Sequence, residues 1–181
     1  MIPIRVHTHI SAPREAVFDL LADMSARPSW TDHFQKDFRL ESPRSSGVGA
    51  AARYRLDAPL NRRWGESEVI EADRPRRVVE ATRSGRLSGT RGEVVYELSP
   101  QGRSLTRVDM TVWTEGGTPR ELVKDKLGAR RWLRRQSKKA LERLRTILEE
   151  HPDEPLDRVT VAGWEQSRGP RFGTGTRAAR G

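Results

Sequence analysis

The chain has 181 residues, of which 34 are Lys or Arg and 25 are Asp or Glu, giving a formal net charge of +9. That length fits one domain with a tail, and 34% apolar residues is too many for a wholly disordered chain and fewer than an average globular domain carries. The absence of cysteine removes disulfide scaffolds, thiolate zinc sites, iron–sulfur clusters and thiol nucleophiles, and no apolar run approaches the roughly 20 residues of a membrane span.

Ile4, Val6 and Ile10 alternate with Arg5, His7 and His9, which predicts a half-buried strand. Ser11, Pro13 and Glu15 form a helix start, and Val17, Leu20 and Leu21 recur at helical spacing to about Ala22. Pro28 stops any continuation, and the cluster Trp30, His33, Phe34 follows. Short alternating runs then predict strands near 37–42, 50–57, 63–73, 77–84, 91–99 and 104–114, with turn residues such as Arg74-Pro75 and Gln101-Gly102 between them. Tight links between successive strands make an antiparallel meander. From about Pro119 to Glu150, Leu133, Ala140, Leu144 and Ile147 share one arc of a long amphipathic helix. Residues 152–181 are Gly-rich and read as a flexible basic tail, in which Val159–Trp164 is the stretch expected to dock.

This order resembles the START-like or helix-grip superfamily (SRPBCC), and within it the polyketide cyclase/dehydrase branch. The matching residues are Ile10-Ser11-Ala12-Pro13 with Val17-Phe18 and Leu21-Ala22-Asp23, Pro28-Ser29-Trp30, the run from Val69 to Val78, and Tyr96 to Pro100 leading into Leu105–Val108. The resemblance implies an α+β fold: a curved antiparallel sheet of about seven strands wrapped around a long C-terminal helix, with short helices after strand 1. It spans residues 2–150, within a domain expected over residues 1–151, and leaves the tail 152–181 outside. It brings a cavity between helix and sheet and no universal catalytic motif.

The apolar parity of the strands points Tyr54, Tyr96 and Met110 inward; carried backward from Ile70 and Ala72, it also points Glu68, Glu66 and Trp64 inward. An inward carboxylate needs a partner, a raised pKa or water, or else sits at a rim. Trp30 and Phe34 lie where this fold's cavity usually opens. Leu133, Gln136 and Ser137 lie on or within the apolar arc of the long helix; the two polar ones either face a ligand or straddle the core boundary. Asp32 and His33 are adjacent, with no third catalytic partner at motif spacing. His7 and His9 offer too few ligands for a metal site.

Arg130, Arg131, Arg134, Arg135, Lys138 and Lys139 form a basic helix face. It suits solvent, or an anionic membrane surface. With only Trp132 interleaved, nucleic acid is not an expected partner. The expectation is therefore a cytoplasmic protein without cofactor that binds a small hydrophobic or amphipathic molecule, such as a lipid, through Trp30, Phe34, Tyr54, Trp64, Glu68, Tyr96, Met110, Leu133, Gln136 and Ser137. A polyketide cyclase, aromatase or dehydrase is the enzymatic alternative, and a basic adaptor for RNA, lipid or protein is the third.

Overall fold

The computed structural model describes residues 3–59, 61–85, 90–115, 128–152, 154–156 and 158–161. Strand β1 (Ile4–Ile10) is followed by helix α1 (Arg14–Ala22), a single 3-10 turn (Met24–Ala26) and the short helix α2 (Pro28–Thr31). Then come β2 (Gln35–Leu40), β3 (Ala51–Ala58), β4 (Asn61–Asp73), β5 (Arg77–Ser84), β6 (Thr90–Pro100), β7 (Thr106–Glu115) and the long helix α3 (Arg130–Glu150). The sheet order is β1-β7-β6-β5-β4-β3-β2, antiparallel throughout. The first strand pairs with the last, so the meander of six strands takes β1 on its β7 edge, and α3 lies against β1 and α2.

The predicted strands and long helix are all present, with ends shifted by a few residues. The part of that helix predicted over 119–127 lies outside the described residues. The predicted serine cap is not used: Pro13 occupies the N-cap of α1, and no side chain caps it. The backbone N–H of Ser11 instead donates to Glu149 Oε1 at 2.6 Å, tying the start of α1 to the end of α3. His7 and His9 are exposed, as expected of the polar parity of β1.

One expectation fails along part of β4. Val69 faces Glu80 across the β4–β5 ladder, whereas Glu71 faces Val79, so Ile70 is an extra residue. A bulge of one residue in a period-2 strand reverses which face every side chain before it takes. Gly65, Ser67 and Val69 are therefore the buried set, while Ile70 is 45% and Trp64 41% exposed, and Glu66 and Glu68 are exposed with them. The parity read backward from Ile70 thus put Trp64 and Glu68 on the wrong side of the sheet.

The core lies between the inner sheet face and the helices. Ile10, Val17, Leu21, Met24, Trp30, Val69, Val78, Val108, Leu141 and Leu144 are almost completely buried there. Among the described residues, no helix is long and apolar enough to cross a membrane.

Candidate functional site: a buried polar cluster beside a small-residue floor

Arg27 joins the 3-10 turn to α2 and has helical backbone angles (φ −50°, ψ −44°). The connection is itself buried from Asp23 to Arg27, and the Arg27 side chain lies in the interior. Nη2 donates to the Leu21 carbonyl (2.9 Å) and to Glu80 Oε1, and Nη1 donates to the Tyr96 hydroxyl (3.0 Å). The guanidinium carbon stands 4.5 Å from the centre of the Trp30 ring, a cation–π stack. Trp30 meets Tyr96 edge-on, centroids 6.5 Å apart.

Glu80 reaches this cluster because β5 alternates Val78, Glu80 and Thr82 toward the interior. Burial pushes its carboxyl upward, against the opposing pull of Arg27. Burial would lower Arg27, but the charge of Glu80 and the contact with Tyr96 more than offset this, so the guanidinium stays charged. Burial, and then the Glu80 charge, raise the Tyr96 hydroxyl far above its usual value and keep its proton in place. That hydroxyl accepts from Arg27 and, among the described residues, has no acceptor for its own proton. Arg27 Nε and Trp30 Nε1 are likewise buried without an acceptor.

The turn that carries Arg27 is fastened from both sides. Asp23 Oδ1 accepts from Ser25 N (2.9 Å) and Ser25 Oγ (2.6 Å). Arg158 pairs with Asp23 at 2.9 Å, and Val159 N donates to the Ser25 carbonyl at 2.9 Å. The start of the segment expected to dock thus does dock at Val159; residues 162–164 lie outside the described residues.

Beyond Glu80 the inner face changes character. Its row continues through Val69, Val94 and Val112, but the next row is Ser67, Thr82, Gly92 and Thr114. The row after that holds Gly65, Ser84 and Thr90 beside Tyr54. From β4 to β7 these rows carry no bulky apolar side chain; toward β2 they end on Leu40, through Ala52, and on the Tyr54 ring, and Thr82, Ser84, Thr90 and Thr114 are half-exposed. Tyr54 stacks on Phe38 (5.7 Å between centroids, 7° between planes), bonds Ser67 Oγ at 2.9 Å, and lies across Gly65. A Cβ at Gly65 would stand 2.8 Å from Tyr54 Cε2. The pattern is a floor of glycines and hydroxyls with the charged cluster at one end.

The structure thus gathers Trp30, Tyr54 and Tyr96 around the interior, with Met110 buried directly opposite Tyr96 in the ladder. Phe34 meets Trp132 edge-on at 6.2 Å, at the seam between α2 and α3. Leu133 and Gln136 are half-buried and Ser137 is buried. Gln136 contributes its main-chain carbonyl, which accepts from His33 Nε2 at 3.3 Å. His33 Nδ1 accepts from Arg143 Nη1 at 3.2 Å, and Arg143 also pairs with Asp32, so Asp32 and His33 act in an inter-helix link. Trp64 lies outside, 4.9 Å from the Arg53 guanidinium carbon, and Glu68 lines an outer groove with Glu66, Arg83, Glu93 and Trp113. The described grooves open on the outer face or at the sheet end, and the hollow expected beneath the long helix is not among them.

Sequence reasoning missed Arg27 and Glu80. Glu80 had a signal, a lone carboxylate in the apolar run Val78-Val79-Glu80-Ala81. Arg27 had none beyond its place before Pro28.

The family model described as "Polyketide cyclase / dehydrase and lipid transport" matches residues 1–149. The chain belongs to this family. Among solved structures, a protein of Thermus thermophilus is 18% identical with a TM-score of 0.61, covering 80% of this chain and 94% of its own. A conserved protein from Geobacillus kaustophilus is 14% identical (TM-score 0.61; 80% and 93% covered). A START superfamily protein from Mycobacterium smegmatis is 12% identical (TM-score 0.56; 82% and 94% covered). At these identities the likeness speaks for the helix-grip fold alone. No curated protein matches the chain.

Proposed function

We propose that this family member binds a small amphipathic molecule on the inner face of its sheet, with its polar end toward Arg27, Glu80 and Tyr96. The observation that carries this reading is the pair of inner rows built from Gly65, Ser67, Thr82, Ser84, Gly92 and Thr114. A sheet that only builds a core places Val, Ile or Leu on that face; small residues leave volume for a guest. The test is native mass spectrometry of the full chain purified from its own host. A mass excess released on collisional activation, and recovered by solvent extraction, supports the reading. The bare chain mass under every gentle condition contradicts it.

The enzymatic reading, cyclisation or dehydration of a polyketone, draws on the same cluster, because Tyr96 and Glu80 both have perturbed proton affinities inside it. Its mark is turnover that disappears in Tyr96→Phe and Glu80→Gln. A further reading has the exposed residues Arg131, Arg134, Arg135, Lys138 and Lys139 dock the protein on an anionic surface. Such docking weakens steeply with salt.

A further inference from the structure

We infer that the exposed basic turns of α3 dock the protein on a phospholipid bilayer that carries anionic headgroups, with Arg131, Arg134, Arg135, Lys138 and Lys139 set against the lipid phosphates. This deepens the surface reading above by naming the partner, and it holds whether or not the inner face of the sheet takes a guest.

Five cations share one face of the helix. Arg131, Arg134, Arg135, Lys138 and Lys139 are all exposed. At about 100° and 1.5 Å per residue they fall within an arc of about 140° and cover about 12 Å of the helix axis. Among the described residues, Arg131, Arg134, Arg135 and Lys139 pair with no carboxylate, and Lys138 reaches only Glu142, at 3.8 Å. Arginines elsewhere are matched: Arg53 meets Glu41, Arg55 meets Asp37, Arg74 meets Asp19, Arg77 meets Glu71 and Arg107 meets Asp109. The second half of α3 is matched too, Arg143 by Asp32 and Arg145 by Glu149. Like charges crowded on so short a stretch repel one another, and anions from outside the chain relieve that repulsion. The patch is also held still. Ser137, Ala140 and Leu141 are buried on the far side of the helix, and Arg130 Nη2 donates to the Pro3 carbonyl at 3.0 Å.

Shape then selects among anionic partners. A bilayer offers lipid phosphates over a plane, and a straight helix lying on it brings all five side chains down together. Three of the five are arginine, whose planar fork grips a phosphate through two parallel N–H···O bonds. Single-stranded nucleic acid is held by aromatic rings among the cations, on which its bases stack. The one aromatic residue between Arg130 and Lys139 is Trp132, which is half-buried and meets Phe34 edge-on at 6.2 Å. It is engaged in the seam between α2 and α3.

The experiment is co-sedimentation of the full chain with vesicles of phosphatidylcholine alone and of phosphatidylcholine with an equal part of phosphatidylglycerol. Binding is expected on the anionic vesicles only. It is expected to fall at least about tenfold between about 0.1 M and about 1 M salt, where the screening length shrinks from about 10 Å to about 3 Å. Arg134→Gln with Arg135→Gln is expected to weaken it about 25-fold, each basic residue near the surface being worth about fivefold. Arg83→Gln with Arg91→Gln removes the same charge from exposed positions on the outer sheet face, and is expected to change binding by less than about threefold. Thermal midpoints show both variants folded. Equal loss in the two variants, or equal binding to the two kinds of vesicle, overturns the inference. Tighter binding of an RNA strand than of the anionic vesicles, lost in Arg134→Gln with Arg135→Gln, overturns the bilayer and leaves the surface reading standing. No salt-sensitive binding to vesicle or RNA removes both.

Discussion

The carboxylate of Glu80 accepts directly from Arg27 Nη2 in the interior, 53 residues apart in sequence and with neither side chain more than 4% exposed. A buried pair of this kind adds little net stability compared with well-packed apolar residues, yet breaking it leaves a bare charge. Glu80→Gln is therefore expected to lower the unfolding free energy by about 3–5 kcal/mol. The double variant Arg27→Met with Glu80→Leu is expected to be more stable than either single one. Urea unfolding of the three variants checks this; a double variant as unstable as the sum of the singles contradicts it.

The floor makes a second prediction. Gly65→Ala drives a methyl into the Tyr54 ring, expected to lower stability by about 1–3 kcal/mol and to pull Tyr54 off Ser67. Gly92→Ala is expected to lower it further. The nearest atom there is the Trp113 main-chain carbonyl, which cannot rotate away as a ring can. Thermal midpoints ranked wild type, Gly65→Ala, Gly92→Ala are the expected result, and the reverse order for the two variants contradicts it.

His33 supplies a pH dependence. Gln136 C=O can only accept and Arg143 can only donate, so the ring is neutral with its proton on Nε2. Burial lowers its pKa, and the nearby Arg143 and Lys139 charges add to this against the hydrogen bond to the Gln136 carbonyl and the pull of Asp32. A depressed folded-state value means the unfolded chain binds the proton more readily. The contribution is thus present above about pH 6.5 and is lost as pH falls below it. The midpoint of the wild type is expected to drop more steeply from pH 7 to pH 5 than that of His33→Asn. Parallel curves contradict the assignment.

Much of the fold was legible because period-2 alternation and turn residues write strands plainly, as in Thr106–Glu115 and Arg77–Ser84. The facing of Trp64 and Glu68 was not, because a single extra residue at Ile70 reverses parity and leaves no mark in composition. Tyr54, Tyr96 and Met110 were readable as interior because their strands keep phase where those residues sit. Arg27 was hidden because a connection between two short helical turns has no periodicity to say which way a long side chain points. The small-residue floor is a two-dimensional pattern: Ser67, Thr82, Gly92 and Thr114 become one row only after strand register is known.

The corrected facing has its own consequence. Trp64→Ala removes a ring stacked on an exposed arginine and is expected to change stability by less than about 1 kcal/mol and leave binding of 2-acetonaphthone, a small amphipathic probe, unaltered. Tyr96→Phe, which removes one interior hydroxyl, is expected to weaken that binding about tenfold. Dialysis with both variants checks this. Loss of binding in Trp64→Ala alone would place the guest on the outer face.

The most direct measurement of the central claim is a two-dimensional nitrogen–proton spectrum of the tryptophan indoles during titration with 2-acetonaphthone. The chain has five tryptophans. Trp30 is buried beside Arg27, whereas Trp64 and Trp113 lie 41% and 43% exposed on the outer face. The account predicts saturable shifts at the buried Trp30 indole, which packs against the polar cluster at the end of the floor, while Trp64 and Trp113 stay in place. Saturable shifts at Trp64 or Trp113 with Trp30 unmoved would contradict it.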